Sequence, residues 1–319
     1  MARVGAMRAA VITALGEPPE LQERPEPEPE AGDVVVEVEC APLNPIDISI
    51  GAGRFYGGHP PLPYVPGEEA IGRRRDTGER VWIYGRFTGG LAERVAAPER
   101  SLTPVPEEAD PALAGACGIA GTTGWLAVAW RAPVREDDRV LVLGATGTVG
   151  LVALQAAKLC GAVRVVAAGR DPEGLERARR LGADEIVLLE DGKELAEKLR
   201  AACGGDGPTY VVDPLWGAPL AAAAEACARH ARIVHLGQSA GPDATLTSGV
   251  VRGKSLDLHG LSTGQTPREE LRREYAELVE HVVRGEIELD VERIPFEDVA
   301  EAWRRQASGS PKQKLVVEL

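Results

Sequence analysis

The stretch Arg139–Gly150, RVLVLGATGTVG, decides how this chain folds. Val140 to Leu143 is an unbroken apolar run of strand length, and Val149 to Leu159 carries a helical pattern. Between them Ala145, Thr146, Gly147, Thr148, Val149 and Gly150 form a turn with the spacing Ala-x-Gly-x-x-Gly. Glycine there lets a pyrophosphate approach the backbone without meeting a Cβ, and the helix N-terminus offers free N–H groups and positive dipole. Alanine stands where the usual fingerprint has its first glycine, so the context carries the reading. A second strand, Val163–Ala168, supplies that context by closing a βαβ unit.

From about Pro111 onward, helices alternate with strands. The pattern predicts a helix at Pro111–Cys117, a segment at Gly121–Trp130, and helices at Glu173–Leu181, Lys193–Ala202 and Pro219–Ala228. Strands are predicted at Glu185–Leu189, Tyr210–Pro214, Arg232–Leu236 and Ser255–Leu261. Six strands joined by crossovers specify an α/β chain with a doubly wound parallel sheet, whose ligand lies at the C-terminal strand ends. A long helix, Pro267–Arg284, then leads to Ile287–Ile294, a helix at Phe296–Gln306 and a last strand, Lys314–Glu318, free to rejoin the N-terminal part.

That N-terminal part reads as β-rich. Met7–Thr13 and Asp33–Cys40 have strand character on either side of a proline-studded acidic stretch, Glu17–Glu30. In Asn44-Pro45-Ile46-Asp47 the proline argues against a helix interior. A Gly- and Pro-rich loop runs from Gly51 to Gly67, and short strands follow at Glu79–Trp82 and Leu91–Val95, the spacing of a small barrel or sandwich.

A chain of 319 residues is long for one core and predicts two domains. Its net charge of −13, without a basic block, argues against nucleic acid or an anionic membrane as partner. No apolar run reads as a membrane span, and Met1–Met7 has no hydrophobic signal region behind it, which predicts a cytoplasmic protein. The five cysteines are scattered, without a CxxC pair, and read as buried reduced thiols. Scarce methionine and near-absent asparagine suit a heat-tolerant source.

NPID, PLPYVPG-EEAIG, GTTGW, GATGTVG, LGADE, VVDPLWG, RIVHLGQSAG and the terminal KLVVEL occur here in one order. In that order the chain resembles the medium-chain dehydrogenase/reductase superfamily, nearest its zinc-free quinone oxidoreductase branch. The resemblance implies a β-rich, GroES-like substrate domain of residues 1–118 and 265–319, a Rossmann domain of residues 119–264, and a cleft between them. Zinc-dependent members hold their metal with a Cys-x-x-Asp, a Gly-His-Glu and a later Cys. The matching positions here are Asn44 with Asp47, then Glu68, then Ile119, while Cys117 is two residues out of register. Neither Asn44 nor Ile119 is a thiolate, so no catalytic zinc is expected. Glu68 and Glu69 read as partly solvated carboxylates beside Arg73–Arg75.

Cofactor choice is read at the end of the second strand of the nucleotide-binding part, where Gly169 replaces the usual acid and Arg170 follows. A missing carboxylate and an available guanidinium favour NADPH, while Asp171 keeps NADH open. Without zinc, the chemistry left is hydride transfer to a quinone or α,β-unsaturated carbonyl, whose enolate needs a hydrogen-bond donor and a proton. Tyr56 is the candidate donor or else a lid; His59 reads as a solvated loop histidine, and Tyr64 and Lys158 as structural and surface residues. The resemblance gives Asn44 a positioning role toward nicotinamide ribose or substrate, and brings Thr123, Gly237 and Ser239 to the nicotinamide half. Two other functions stay open: a pathway-specific reductase of an enoyl thioester or iminium, and a non-catalytic NADPH-sensing protein. Ser255–Leu261 would be an unprotected sheet edge, and relatives in the resembled family pair that edge into a homodimer.

Overall fold

The four residues Val140–Leu143 are fully buried and pair in parallel with a strand on each side, as an unbroken apolar run requires. The computed structural model describes residues 5–190, 194–309 and 311–319. They divide into two units. One runs from the N-terminal strands to Ala120 and takes up Tyr275–Arg284 and Asp290–Leu319; the other is Gly121–Glu274 with Gly285–Leu289.

In chain order the first unit contributes β1 (Ala6–Val11), β2 (Glu20–Pro25), β3 (Asp33–Pro42), α1 (Pro45–Gly51), β4 (Glu69–Arg74), β5 (Arg80–Tyr84), β6 (Arg94–Pro98), β7 (Leu102–Pro104) and α2 (Pro111–Ala116). The second contributes α3 (Thr122–Leu126), β8 (Arg139–Leu143), α4 (Thr148–Leu159), β9 (Arg164–Gly169), α5 (Pro172–Arg180), β10 (Glu185–Leu188), α6 (Leu195–Cys203), β11 (Tyr210–Asp213), α7 (Gly217–Ala226), β12 (Arg232–His235), α8 (Ser248–Lys254) and β13 (Asp257–Gly260). The chain then passes through α9 (Arg268–Val283), β14 (Val291–Pro295), α10 (Val299–Ser308) and β15 (Lys314–Glu318).

The second unit holds a parallel sheet of order β10-β9-β8-β11-β12-β13, the doubly wound arrangement whose order reverses between β8 and β11. β13 is its edge, and Leu258 there is 50% exposed. Close approach demands glycine at two places: a Cβ on Gly150 would stand 2.4 Å from Gly144 O, and one on Gly124 would stand 2.3 Å from Val149 O. Leu141, Leu143, Val166, Val211 and Ile233 line one face of the sheet's core.

The first unit holds a mixed sheet of order β14-β15-β3-β4-β5-β7, with β6 also on β3, and a separate β1–β2 hairpin. β15 does return to the N-terminal part: it pairs antiparallel with β3, Val316 opposite Pro42. This register carries Lys314 to Asn44, 270 residues away in sequence.

Several sequence expectations need correction. Pro45 does not bar a helix; it occupies the first turn of α1, where its missing N–H costs nothing. The acidic stretch Glu17–Glu30 contains β2, whose polar residues face outward from a two-stranded ribbon. β4 and α8 were not anticipated, because β4 is interrupted by charge at Arg73 and Arg74 and α8 buries no side chain. The start of the expected helix Lys193–Ala202 lies outside the described residues, as do the first four residues of Met1–Met7. The 21-residue helical run Pro111–Arg131 is long and apolar enough to cross a bilayer, which the sequence reading missed. Of its most apolar window 78% is buried within the protein, and its backbone breaks at Gly118, so it is built as a core segment.

Candidate functional site

Asn44 follows β3 and is the N-cap of α1. Asp47 accepts at its Oδ2 from Asn44 N at 2.7 Å and at its Oδ1 from Glu68 N at 2.9 Å. The amide of Asn44, the only asparagine in the chain, bridges two buried charges. Its Nδ2 donates to Glu69 Oε1 at 2.8 Å, and its Oδ1 accepts from Lys314 Nζ at 2.5 Å. Lys314 also donates to Leu43 O at 2.8 Å. Glu69 Oε2 receives Trp82 Nε1 at 2.8 Å and Ile119 N at 2.7 Å. Trp82 stacks on Tyr275, whose hydroxyl donates to Ala114 O, so the wall behind Glu69 is fixed as well.

Donor counting assigns the protonation states. Three donors converge on Glu69 and two acceptors on Lys314, which suits a carboxylate and an ammonium held apart by an amide dipole. Burial pushes Glu69 up to about 7, opposed by Lys314 and those donors. Burial pushes Lys314 down to about 8, opposed by Glu69 and Asp47. Glu68 differs. It is 6% exposed, and both its oxygens share a single donor, Phe87 N, at 3.0 and 3.2 Å. Burial and the nearby Asp47 push Glu68 up to about 8. Phe87 itself holds φ +60°, a left-handed backbone rare for a bulky residue.

In the second unit, the turn from Gly144 to Gly150 opens α4. Thr146, Gly147, Thr148 and Val149 stay only half-buried, and a Cβ on Gly147 would meet nothing nearer than Gly144 O at 3.9 Å, so a phosphate can reach the first N–H groups of the helix. These residues fit a dinucleotide. Gly169 ends β9 against Thr146: a Cβ there would stand 2.8 Å from Thr146 Cγ2, so a larger residue would require the threonine to shift. Arg170 beyond it is exposed, and Asp171 is occupied as the cap of α5, accepting from Glu173 N at 3.2 Å. Thr123 and Thr263 share a hydroxyl–hydroxyl bond of 2.6 Å. Gly237 passes Pro214 O so closely that a Cβ would meet it at 2.7 Å, and Ser239 Oγ donates to the same oxygen at 3.2 Å.

A zinc-binding dehydrogenase family model matches residues 148–283. The quinone oxidoreductase of Thermus thermophilus, solved alone and with NADPH, is 31% identical to this chain, covers 98% of it and 100% of itself, and superposes with a TM-score of 0.83. The chain belongs to the medium-chain dehydrogenase/reductase superfamily, on its quinone oxidoreductase-like branch. The quinone oxidoreductase of Homo sapiens is 27% identical over 317 residues, 95% of each chain. A phenolphthiocerol/phthiocerol polyketide synthase component of Mycobacterium tuberculosis is 29% identical over 99% of this chain and 15% of its own length.

The matched model covers none of the three positions at which zinc-dependent superfamily members hold the metal, so they are judged by their own chemistry. Asn44 has its amide committed at both ends, and Ile119 offers only a backbone N–H, which Glu69 takes. Glu68 alone does not make a tetrahedral site, and no group of three His, Cys, Asp or Glu side chains converges among the described residues. These residues do not fit a catalytic zinc.

In this quinone oxidoreductase-like chain, the reading of Glu68 and Glu69 as solvated partners of Arg73–Arg75 is overturned. Glu69 is fully buried, and the three arginines pair elsewhere: Arg73 with Glu39 and Glu107, Arg74 with Asp76 and Glu99, Arg75 with Glu26 and Glu37. Tyr56 is 90% exposed beside Phe55, His59 is exposed, and Lys158 pairs with Asp184 at the surface. The sequence reading missed Lys314, and also the Asp213–His235 pair at the ends of β11 and β12, where His235 Nδ1 lies 2.9 Å from Asp213 Oδ2. Only the alignment of β15 with β3 makes Lys314 visible; the lysine inside an otherwise apolar strand was the available signal.

Replacing Lys314 by Met leaves Glu69 and Asp47 buried without their cation. A loss of about 3–5 kcal/mol at pH 8 is expected. With its folded-state proton affinity raised further, Glu69 stabilises the variant only at low pH and loses that contribution as pH rises, so the deficit shrinks toward pH 5. Denaturant melts of both proteins at pH 5 and 8 measure it; an equal deficit at both pH values would contradict the charged assignment.

Proposed function

We propose that this chain is a zinc-independent, NADPH-dependent reductase of quinones or α,β-unsaturated carbonyls. The observation that carries the reading is the donor set at Asn44, Glu68 and Ile119, which does not fit zinc in a chain whose dinucleotide turn is intact. The likeness to quinone oxidoreductases, one of them solved with NADPH, supports the cofactor and the acceptor class. A site without metal ligands has no Lewis acid to polarise an alcohol or aldehyde, whereas a conjugated alkene or quinone accepts hydride with help from hydrogen bonds alone.

Bound NADPH supplies the hydride. The turn Ala145–Gly150 holds its pyrophosphate on the N-terminus of α4, and Arg170 pairs with the 2′-phosphate, unopposed by an acid at position 169. Thr123, Gly237 and Ser239 line the nicotinamide half. In this reading the nucleotide belongs to residues 119–264 and the acceptor to residues 1–118 with 265–319. Asn44 positions Glu69 against Lys314 through its amide, and Tyr56, 90% exposed in the loop after α1, takes the lid role. A pathway-specific enoyl-thioester reductase is the second reading, favoured by the match to a stretch of a polyketide synthase. The unpaired edge of β13 supports a homodimer joined strand to strand across a two-fold axis.

NADPH oxidation against quinones, simple enones and enoyl thioesters, in protein whose metal content is measured, tests the activity. Turnover of a quinone or enone with far less than one zinc per chain is expected. A preference for enoyl thioesters would select the second reading, and chelator-sensitive activity with one zinc per chain would end the first. Arg170→Glu should weaken NADPH roughly ten- to a hundredfold with little change for NADH, on the scale of one charge-assisted phosphate contact; fluorescence titration with both nucleotides reads it. Light scattering should give twice the 33.8 kDa chain mass, and Leu258→Pro, which removes a ladder donor at the edge, should halve it.

A further inference from the structure

Reduction of a conjugated acceptor takes up a proton as well as a hydride, and the assignments above leave its source open. Among the buried acids of the first unit, one is not built as an anion. Asp47 accepts two backbone N–H groups and Glu69 three donors, but Glu68, also buried, has one N–H shared between both oxygens. A buried carboxylate with one donor and no paired cation is costly, so the group keeps its proton. The only donor recorded on either oxygen among the described residues is Phe87 N. A second polar group lies in the same neighbourhood: the Tyr64 hydroxyl, sensitive to the charges of Asp47 and Glu68, is buried without a hydrogen-bond partner.

The groups facing Glu68 sharpen this. Asp47 on α1 and Glu69, next to it on β4, both oppose its ionisation, and Arg86 in the turn after β5 favours it. Lys314 on β15 spends its charge on Glu69 and Asp47 instead. Arg86 lies against the loop that carries Tyr56: a Cβ on Gly57 would stand 3.0 Å from its Nη2. Phe87, which supplies the one N–H, is held at φ +60°, the kind of backbone strain that persists where it serves a site.

We propose that Glu68 is held as a neutral carboxylic acid and gives its proton to the acceptor during reduction. This rests on the reductase reading above. Hydride arriving at the β-carbon breaks the C=C π bond, whose electron pair passes through the carbonyl to its oxygen. The Glu68 O–H bond breaks, the proton joins that oxygen, and the electron pair stays on Glu68 as a carboxylate. Water returns a proton to it; the acceptor has gained a hydride and a proton, balanced by oxidation of NADPH to NADP+. A quinone becomes its hydroquinone by the same count.

The test compares wild type, Glu68→Gln and Glu68→Asp. Glutamine keeps an oxygen for Phe87 N–H but carries no transferable proton; aspartic acid keeps the proton on a shorter arm. With an enone, wild-type kcat should be level below about pH 8 and fall above it, as the acid ionises. Glu68→Gln should lose about a hundredfold in kcat below pH 8, within the usual range for a general acid, and lose the alkaline limb; Glu68→Asp should recover part of the rate and retain the limb. Melting temperatures without any ligand give an independent readout. A carboxyl whose folded pKa lies above its unfolded value contributes stability at low pH that drains away as pH rises toward 8, so wild type should lose ground to Glu68→Gln between pH 5 and 8. An active wild type whose glutamine variant keeps both the rate and the alkaline limb would overturn the proton assignment alone. A wild type inactive with NADPH on every quinone and enone would overturn the reductase reading and the proton assignment with it. Parallel melting curves for wild type and Glu68→Gln would overturn the neutral acid.

Discussion

The bridge from Glu69 through the Asn44 amide to Lys314 is the constraint around which the first unit is arranged. A buried carboxylate and a buried ammonium are each expensive, and an amide between them satisfies both while keeping them from direct contact. That geometry requires β15 to lie in one register against β3, because a slip of one residue would turn Lys314 to the other face. It also requires Gly118, where a Cβ would stand 1.9 Å from Glu69 Oε2. The break in the apolar helical run at that glycine is therefore part of the same arrangement: it lets the Ile119 N–H turn toward the carboxylate.

The second unit obeys a different constraint, the close approach of backbones. Gly150, Gly124, Gly169 and Gly237 each abut a carbonyl or a side chain within about van der Waals contact, and their spacing makes the turn at Gly144–Gly150 both tight and open. At Gly169 the glycine that lacks a ribose-binding acid also packs closely against Thr146.

The doubly wound sheet was legible in the sequence because its signals are local. Apolar runs of four or five residues, glycine turns and crossover helices follow from near neighbours, and the observed strand order agrees with the motif at Ala145–Gly150. The short elements were harder. β2 and α8 are almost wholly solvated, so hydrophobic periodicity does not mark them, and Pro45 is ambiguous between breaking a helix and starting one until its carbonyl neighbours are known.

By itself the sequence determined the family, the dinucleotide turn, the edge position of β13, and the mismatch of Asn44 and Ile119 with zinc. Those are matters of residue identity at fixed spacing. Tertiary structure alone decided which charges are buried and what they face. Glu68 and Glu69 are adjacent and chemically identical, and the same run of arginines follows both. Glu69 opens β4 while Glu68 lies in the bend just before it, so one meets Asn44, Trp82 and the Ile119 N–H while the other meets a single strained N–H at Phe87. Whether a carboxyl is an anion or an acid depends on the donors around it, and those donors come from parts of the chain that only folding brings together.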